Sequence, residues 1–241
     1  LRLLRGLRFL AEIPLVLDSQ TGEWIQRHYQ ALVESAPERI LAELQRLVKG
    51  PHADQALHLL EQWPLLQPWA TTSQTVASYD TTLLNAEEAN NALPLARLTK
   101  LISDDGLKRL KASKILQQRC ARLRHWILQA KQQPEALPEQ ERLQLHLELE
   151  GDLAALILDL PKELQPQWLK RWRDPSDPLF HPTMPLDGSS LQRELGLSAG
   201  PTMGKVLAQL RLERAFGRIQ TRDEALKTAH RLCAEIEAVC D

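Results

Sequence analysis

Three arginines near the start of the sequence have a spacing suited to binding chemistry. Arg2, Arg5 and Arg8 recur every third position, so on a helix their guanidinium groups follow one side in a slow spiral. The apolar positions of that helix are Leu3, Leu4, Leu7 and Leu10. Gly6 costs about 1 kcal/mol relative to alanine in a helix interior, which indicates close packing by another backbone or a flat ligand. The pattern predicts a cationic ridge anchored to a core, and a solvated arginine face is the alternative.

A second charged block, Glu38–Leu44, lies on a helix predicted to begin near Pro37. Charge pairing within or between helices is the favoured interpretation of Glu38, Arg39 and Glu43. Taken with Arg2–Phe9, this block resembles the neck region of class II tRNA nucleotidyltransferases and poly(A) polymerases, in which an R-x-x-R-x-x-R-F helix occurs. The resemblance implies that Arg2, Arg5 and Arg8 bind and select the incoming nucleotide.

The family also has an acidic residue three positions before the first arginine, which takes part in base selection. This sequence has no counterpart, because it begins at Leu1 within the helical pattern. We therefore expect a fragment of a longer enzyme whose catalytic head is missing. Nucleotidyl transfer needs paired carboxylates that hold two metal ions. In this family an Asp-x-Asp pair supplies them, and the sequence contains none.

The last part of the sequence, near Arg218–Leu226, is similar to the C-terminal end of the same family. Gly200 and Gly204 would let a helix N-terminus approach a phosphate, although a plain helix-helix turn is the alternative. Thr221 and Glu224 predict a capping box at the start of the last helix. The candidate RNA-binding residues of this part are Lys205, Arg218 and Arg222.

A basic strip is predicted in the middle of the sequence, on one helix that begins near Asp104 and Asp105. Its candidate RNA-binding residues, Lys108, Lys111, Arg119 and Arg122, fall within roughly 80° of one another at 100° per residue. Such a strip would contact phosphates without reading sequence. The acidic segment from Glu139 to Asp159 could instead neutralise it internally, and the two interpretations stay open. Because basic and acidic residues are segregated in this way, the net charge of -1 says little about partners.

Helical periodicity dominates the sequence and predicts an all-α fold, an elongated multi-helix array of neck, body and tail subdomains. We expect a neck at residues 1–60, a body with the basic strip at 61–174 and a tail with RNA-binding helices at 175–241. Loops and short helical pieces are expected between Ala70 and Asn91, and a linker between Asp174 and Gly188. Alternating leucines from Leu143 to Leu149 fit a strand or a buried helix. The tryptophan pair Trp63 and Trp69 is expected in the core, as is the pair Trp168 and Trp172.

Several functional classes lack support in the sequence. Cys120, Cys233 and Cys240 have no zinc-ligand spacing, so no metal site is expected and a reducing, cytoplasmic location is favoured. The sequence has no apolar run of membrane-spanning length, and no partner in a membrane is expected. No catalytic residue, His-Asp dipeptide or phosphate-binding Gly-Lys-Ser/Thr loop is present.

The predicted function is that of the RNA-binding and nucleotide-selecting C-terminal part of a tRNA nucleotidyltransferase or poly(A) polymerase, acting in tRNA 3′-end processing. The parent enzyme would add CCA, CC or A. The expected partners are tRNA or tRNA-like RNA, with ATP and CTP as substrates and Mg²⁺ bound by the missing head. This chain alone should be inactive. A helical protein-protein adaptor and an RNA chaperone without preference for tRNA are the alternative functions.

Overall fold

The computed structural model describes residues 1–71, 78–130, 133–184, 186–196 and 200–240 of the chain, and of the side chains of residues 236–240 nothing is described. Over these ranges the fold is all-α, as predicted, and 69% of the chain is helical. The helices are α1 (Arg2–Glu12), α2 (Ser19–His28), α3 (Pro37–Lys49), α4 (Ala53–Gln62), α5 (Ala86–Leu101), α6 (Asp104–Arg109), α7 (Lys114–Ala130), α8 (Glu139–Glu148), α9 (Leu153–Ile157), α10 (Gln165–Trp172), α11 (Gly188–Leu195), α12 (Pro201–Ala215) and α13 (Arg222–Cys240). Short 3₁₀ turns at Tyr29–Leu32, Pro64–Leu66 and Pro134–Ala136 connect some of them.

The chain divides into two compact units. Unit 1 comprises Leu1–Gln132 and Gly151–Gln165, and unit 2 comprises Gln133–Glu150 and Pro166–Asp241. The division into neck, body and tail stays a prediction about function.

In unit 1, α1 packs against α3 and α4, and α5 packs against α3, α7 and α9. The leucine face of α1 is buried as predicted, with Leu4 and Leu7 fully inaccessible to solvent. The tryptophans Trp63 and Trp69 also lie in the core, as predicted. These contacts fix one side of α1 and leave its arginine side free for other interactions.

Close backbone approaches in unit 1 occur at Gly50 and Gly106, whereas the sequence indicated close packing, by another backbone or a flat ligand, at Gly6. A Cβ atom on Gly50 would lie 2.3 Å from the carbonyl oxygen of Ala11, which also accepts a hydrogen bond from His52 N at 2.9 Å. A Cβ atom on Gly6 would meet nothing within 4 Å. The prediction that protein packs closely on Gly6 is therefore wrong, and open space lies beside it.

Buried basic side chains of unit 1 bind backbone carbonyls at a helix end and carboxylates. Arg97 is 5% exposed and donates to the carbonyl of Val48 at 2.9 Å and to Asp54 at 2.8 Å. Lys100 pairs with Asp159, which also accepts a hydrogen bond from Tyr79 Oη at 3.2 Å. Basic residues of the central segment thus serve partly to hold the helices of unit 1 together.

In unit 2, α11, α12 and α13 share a core that includes Leu191, Val206, Leu210 and Ile219. In a second cluster the rings of His146 of α8, Trp168 and Phe180 contact one another. The centroid of His146 lies 5.4 Å from that of Trp168 and 4.2 Å from that of Phe180, and the latter two are 5.1 Å apart. The predicted core position of Trp168 is confirmed, since this side chain is 4% exposed, whereas Trp172 is only partly buried.

The structure decides three expectations about local segments of the sequence. The segment Asp174–Gly188 is not a free linker, because Phe180 is 1% exposed and Asp177 accepts hydrogen bonds from the backbone of Leu179 and Phe180 at 3.0 Å. The segment with alternating leucines forms helix α8. Between residues 70 and 91, the described residues 78–85 are not helical, as expected, and α5 begins after them with a capping box made by Asn85 and Glu88; residues 72–77 lie outside the described part of the chain.

Candidate functional site

The arginines of α1 share one buried carboxylate on α3. Glu43 is 5% exposed and accepts a hydrogen bond from Arg5 Nε on one oxygen and from Arg8 Nε on the other, both at 2.8 Å. Burial alone would raise the pKa of the Glu43 carboxyl, but the hydrogen bonds and charges of the two arginines outweigh it and lower this pKa. Glu43 therefore stays ionised and fixes both guanidinium groups. The charge pair that the sequence favoured for this block is confirmed.

Arg5 and Arg8 differ in how much of each guanidinium group remains free to bind a ligand. Arg8 also donates from Nη1 to both oxygens of Glu12 at 2.5 and 2.6 Å, and its side chain is 12% exposed. The side chain of Arg5 is 51% exposed and uses only Nε in the bond to Glu43. The terminal nitrogens of Arg5 consequently face solvent, whereas Arg8 is largely occupied by carboxylates. The sequence analysis missed the role of Glu12, although its i,i+4 spacing from Arg8 was a usable signal.

Arg2 and Phe9 complete the exposed side of α1. Arg2 is exposed and makes no hydrogen bond or ion pair with the described part of the chain. Phe9 is 46% exposed, and the guanidinium carbon of Arg8 lies 4.3 Å from its ring centroid. The open space beside Gly6 lies on this helix as well. The helix thus presents free guanidinium donors, an aromatic ring and room for a ligand.

The basic strip is not on one helix, and this structural prediction is wrong. Helix α6 ends at Arg109, and α7 begins at Lys114. Lys111 lies between them with a φ of 56°, in the left-handed region. The turn is closed by hydrogen bonds from Lys111 N to the carbonyl of Lys108 and from Ala112 N to that of Leu107, both at 2.9 Å. Leu107 and Leu110, just before the break, are both fully buried, and the side chain of Ser113 accepts a hydrogen bond from Leu116 N at 3.2 Å at the start of α7.

Three of the four strip residues have carboxylate partners within unit 1. Lys108 Nζ lies 3.4 Å from Asp105, Lys111 Nζ lies 2.6 Å from Glu38, and Arg119 binds Asp152 through Nε and Nη2 at 2.6 to 3.2 Å. Arg122 is exposed and has no partner in the residues that the structure describes. Internal neutralisation by the acidic segment therefore occurs at Arg119, while Arg122 is available to an outside anion.

The candidate RNA-binding residues of the tail all lie in unit 2. Two of them have carboxylate partners, and the third has none in the described residues. Arg218 donates to both oxygens of Glu139 at 2.9 and 2.8 Å and to Glu213 at 2.6 Å, and Arg222 pairs with Glu194. Lys205 is exposed on α12, and the described ranges contain no partner for it. The capping box of Thr221 and Glu224 is confirmed by reciprocal backbone hydrogen bonds of 3.1 and 3.3 Å.

The described residues offer no site that fits a catalytic metal. In those ranges no three His, Cys, Asp or Glu side chains lie close enough together to hold an ion. The Mg²⁺ expected for nucleotidyl transfer thus has no set of ligands in this part of the chain. Across the same ranges, no helix combines the length and the apolar character needed to span a bilayer.

Parts of this chain are similar in sequence to known proteins. Residues 15–70 match the family model described as the probable RNA and SrmB-binding site of polymerase A. A 92-residue segment is 30% identical to the CCA-adding enzyme of Geobacillus sp. (strain WCH70), covering 36% of this chain and 23% of that enzyme. A 60-residue segment is 37% identical to the CCA-adding enzyme of Listeria monocytogenes, covering 25% of this chain and 15% of the relative. The matched segments thus span less than a quarter of either relative.

The fold is also shared with a solved structure. The crystal structure of the Bacillus stearothermophilus CCA-adding enzyme in complex with CTP superposes with a TM-score of 0.66 at 22% identity, covering 98% of this chain and 62% of that one. The family model and the two relatives match parts of the chain, and the solved structure shares its fold. The resemblance to poly(A) polymerases and tRNA nucleotidyltransferases that was stated from the sequence is confirmed.

Proposed function

We propose that this chain is the RNA-binding and nucleotide-selecting C-terminal part of a tRNA nucleotidyltransferase, adding CCA, CC or A, or of a poly(A) polymerase. It acts on tRNA or tRNA-like RNA in 3′-end processing, with ATP and CTP as the nucleotides. The match of residues 15–70 to an RNA-binding family model supports the RNA role. The two CCA-adding relatives support the proposed tRNA substrate, and a cytoplasmic place of action is part of the proposal.

The observation that carries the nucleotide role is the clamp of Glu43 on Arg5 and Arg8. A carboxylate that is 5% exposed holds both guanidinium groups before any ligand arrives, so little side-chain entropy is lost on binding. Arg5 keeps its terminal nitrogens free, and Arg2 has no partner in the described chain. In the proposed site Arg2 and Arg5 contact the nucleotide, and Arg8 mainly positions α1 against α3.

For the RNA role, the unpaired cations are the first candidates for phosphate contacts. Arg122 and Lys205 are exposed without partners in the described ranges, so they can neutralise phosphates at no cost in broken ion pairs. Arg119 and Arg218 hold bidentate contacts to Asp152 and Glu139 and would have to exchange them. We therefore rank Arg122 and Lys205 above the paired candidates.

RNA binding is tested by the salt dependence of tRNA affinity. Fluorescence anisotropy with labelled tRNA should show affinity that falls steeply with salt, with a log-log slope of about -0.7 to -0.9 for each phosphate neutralised. Removal of Arg122 or Lys205 by alanine should each make the slope shallower by roughly one phosphate, whereas Lys162→Ala, which breaks an exposed pair with Asp80 outside residues 15–70, serves as the control and should leave the slope unchanged. A flat slope or no binding at about 50 mM salt would favour the protein-protein adaptor.

Polymerisation requires carboxylates that this sequence does not contain, since no Asp-x-Asp pair occurs in it. Incubation of the chain with tRNA, magnesium and labelled ATP and CTP should therefore give no incorporation above background. Substantial incorporation would contradict the assignment of catalysis to a separate head.

A further inference from the structure

An open groove runs between α3, α5 and α7 in unit 1, away from the arginines of α1. Its larger lobe has a volume of about 440 Å³ and a floor of Val48, Leu95 and Leu98, each at most 4% exposed. A smaller lobe of about 150 Å³ shares Lys49, Asn90 and Pro94 with it. A space of this combined size accepts one nucleotide-sized ligand and excludes a duplex.

The rim of the groove carries hydrogen-bonding groups that the protein leaves unused. Gln45, Asn90 and Asn91 line the larger lobe, and within the described chain their side-chain amides make no hydrogen bond. Pro94 lies inside α5 and has no N–H, so it cannot donate the usual helical hydrogen bond to the carbonyl of Asn90. The groove therefore offers amide donors and acceptors together with a backbone acceptor on one side.

The charge of the groove is positive. Lys49 lies between the two lobes without an ion-pair partner in the described residues. Arg119 lines the far end of the larger lobe, although its guanidinium already binds Asp152. Arg97 lines the smaller lobe and adds to its potential, although its guanidinium already binds Val48 and Asp54. No Asp or Glu is among the described residues that line either lobe. Such a lining attracts an anion and gives a cationic ligand no carboxylate to bind.

We propose that this groove binds a single unpaired nucleotide of the bound RNA. The base lies on the apolar floor and its edge meets the amides of Gln45, Asn90 and Asn91, in the way that unstacked bases are read by Asn and Gln side chains. Its phosphate lies at Lys49, because phosphate contacts position a strand while base contacts specify it. The inference rests on the proposed RNA-binding function and extends it to a second nucleotide position, separate from the arginine ridge.

The test uses the whole chain and a hairpin RNA with a short single-stranded 3′ tail, in which 2-aminopurine replaces one tail base at a time. Total binding is followed by anisotropy and the environment of the tail base by 2-aminopurine fluorescence. At one tail position we expect a change in fluorescence of about twofold or more on binding. The double variant Asn90→Ala, Asn91→Ala should remove that change and weaken binding of the tailed RNA roughly fivefold or more. Its affinity for a blunt hairpin should be unchanged.

Matched variants separate this site from general effects on charge and folding. Asn90 and Asn91 are exposed on a helix, where alanine is well tolerated, and circular dichroism checks that the variants are folded. Gln129→Ala removes an exposed amide on α7 outside the groove and should leave both signals unchanged. Lys49→Ala should weaken binding of the tailed RNA more than Lys114→Ala, which removes an exposed cation outside the groove.

The outcomes distinguish this inference from the proposed function. Absence of all RNA binding would overturn both. Normal RNA binding with no 2-aminopurine change, or with a change that survives in the double variant, would overturn the groove assignment alone. Free AMP or CMP that binds the groove as tightly as the tailed RNA would overturn the assignment to an RNA-borne nucleotide.

Discussion

At the scale of single residues, Glu43 determines which arginines can reach a ligand. The arginine spacing and the charge-pair interpretation of Glu43 were readable from the sequence, because both depend on helix periodicity. The unequal use of Arg5 and Arg8 was not readable, since it depends on the rotamers that Glu12 and Glu43 impose. The partners of Lys111 and Arg119 lie 73 and 33 residues away in the sequence, at Glu38 and Asp152, which no local pattern reveals.

Replacing the shared carboxylate tests the clamp. Glu43→Gln leaves Arg5 and Arg8 without their common counter-charge in a buried position, and we expect the free energy of unfolding to fall by roughly 2 kcal/mol. Urea denaturation measures this. Glu23→Gln, which breaks the exposed pair with Arg27, should leave stability unchanged. Equal effects of the two substitutions would show that Glu43 is not a structural anchor.

The burial of His146 leads us to expect that the protein becomes less stable in acid. Burial, followed by the positive charge of Arg171, lowers the pKa of this histidine to about 3 from its usual 6.5. The unfolded chain therefore binds a proton below pH about 6.5 that the folded chain does not bind, so stability falls as pH falls from there towards 3. The slope for this one proton is about 1.4 kcal/mol per pH unit.

The control for this effect keeps the aromatic cluster. His146→Phe retains a ring in contact with Trp168 and Phe180 and removes the titrating group, so its unfolding free energy should depend less steeply on pH than that of the wild type. His58→Gln, at an exposed position, should follow the wild type. Parallel pH curves for His146→Phe and the wild type would refute a role for His146.

At the scale of elements, the sequence predicted helix caps correctly where a nearby side chain hydrogen-bonds the backbone. The capping box of Thr221 and Glu224 appeared as the sequence indicated, because it involves groups only three residues apart. The break between α6 and α7 was missed, although Ser113, which caps the start of α7, was a usable local signal. The packed turn after Asp174 was missed because its burial comes from distant side chains.

Two glycines of unit 1 provide a matched prediction about helix packing. Gly50→Ala would place a Cβ atom 2.3 Å from the carbonyl of Ala11 and should destabilise the fold by about 2 kcal/mol or more, because backbone must move. Gly6→Ala meets open space in the interior of α1 and should stabilise the fold by about 0.5 to 1 kcal/mol. Thermal denaturation compares the two. A stabilising Gly50→Ala would contradict the close approach of Gly50 to Ala11.

At the scale of the whole molecule, the net charge of -1 does not show that the basic residues fall into two groups, those paired within the protein and those left free. Many basic residues are used internally, as Arg97, Lys100 and Arg218 show, and only some remain open to an anionic partner. The sequence predicted the all-α class and the family resemblance, because both depend on patterns repeated along the chain. It could not predict which cations stay free, since that depends on tertiary neighbours.

The central claim is the proposal that the free cations within each unit contact the phosphates of structured, tRNA-like RNA. The most direct measurement compares the affinity of the chain for tRNA with its affinity for an unstructured RNA of the same length, at one fixed salt concentration. We expect tRNA to bind about tenfold more tightly, because shape-specific contacts add to the phosphate attraction that both RNAs share. Equal affinity for the two RNAs would contradict the account and would identify the chain as an RNA chaperone without preference for tRNA.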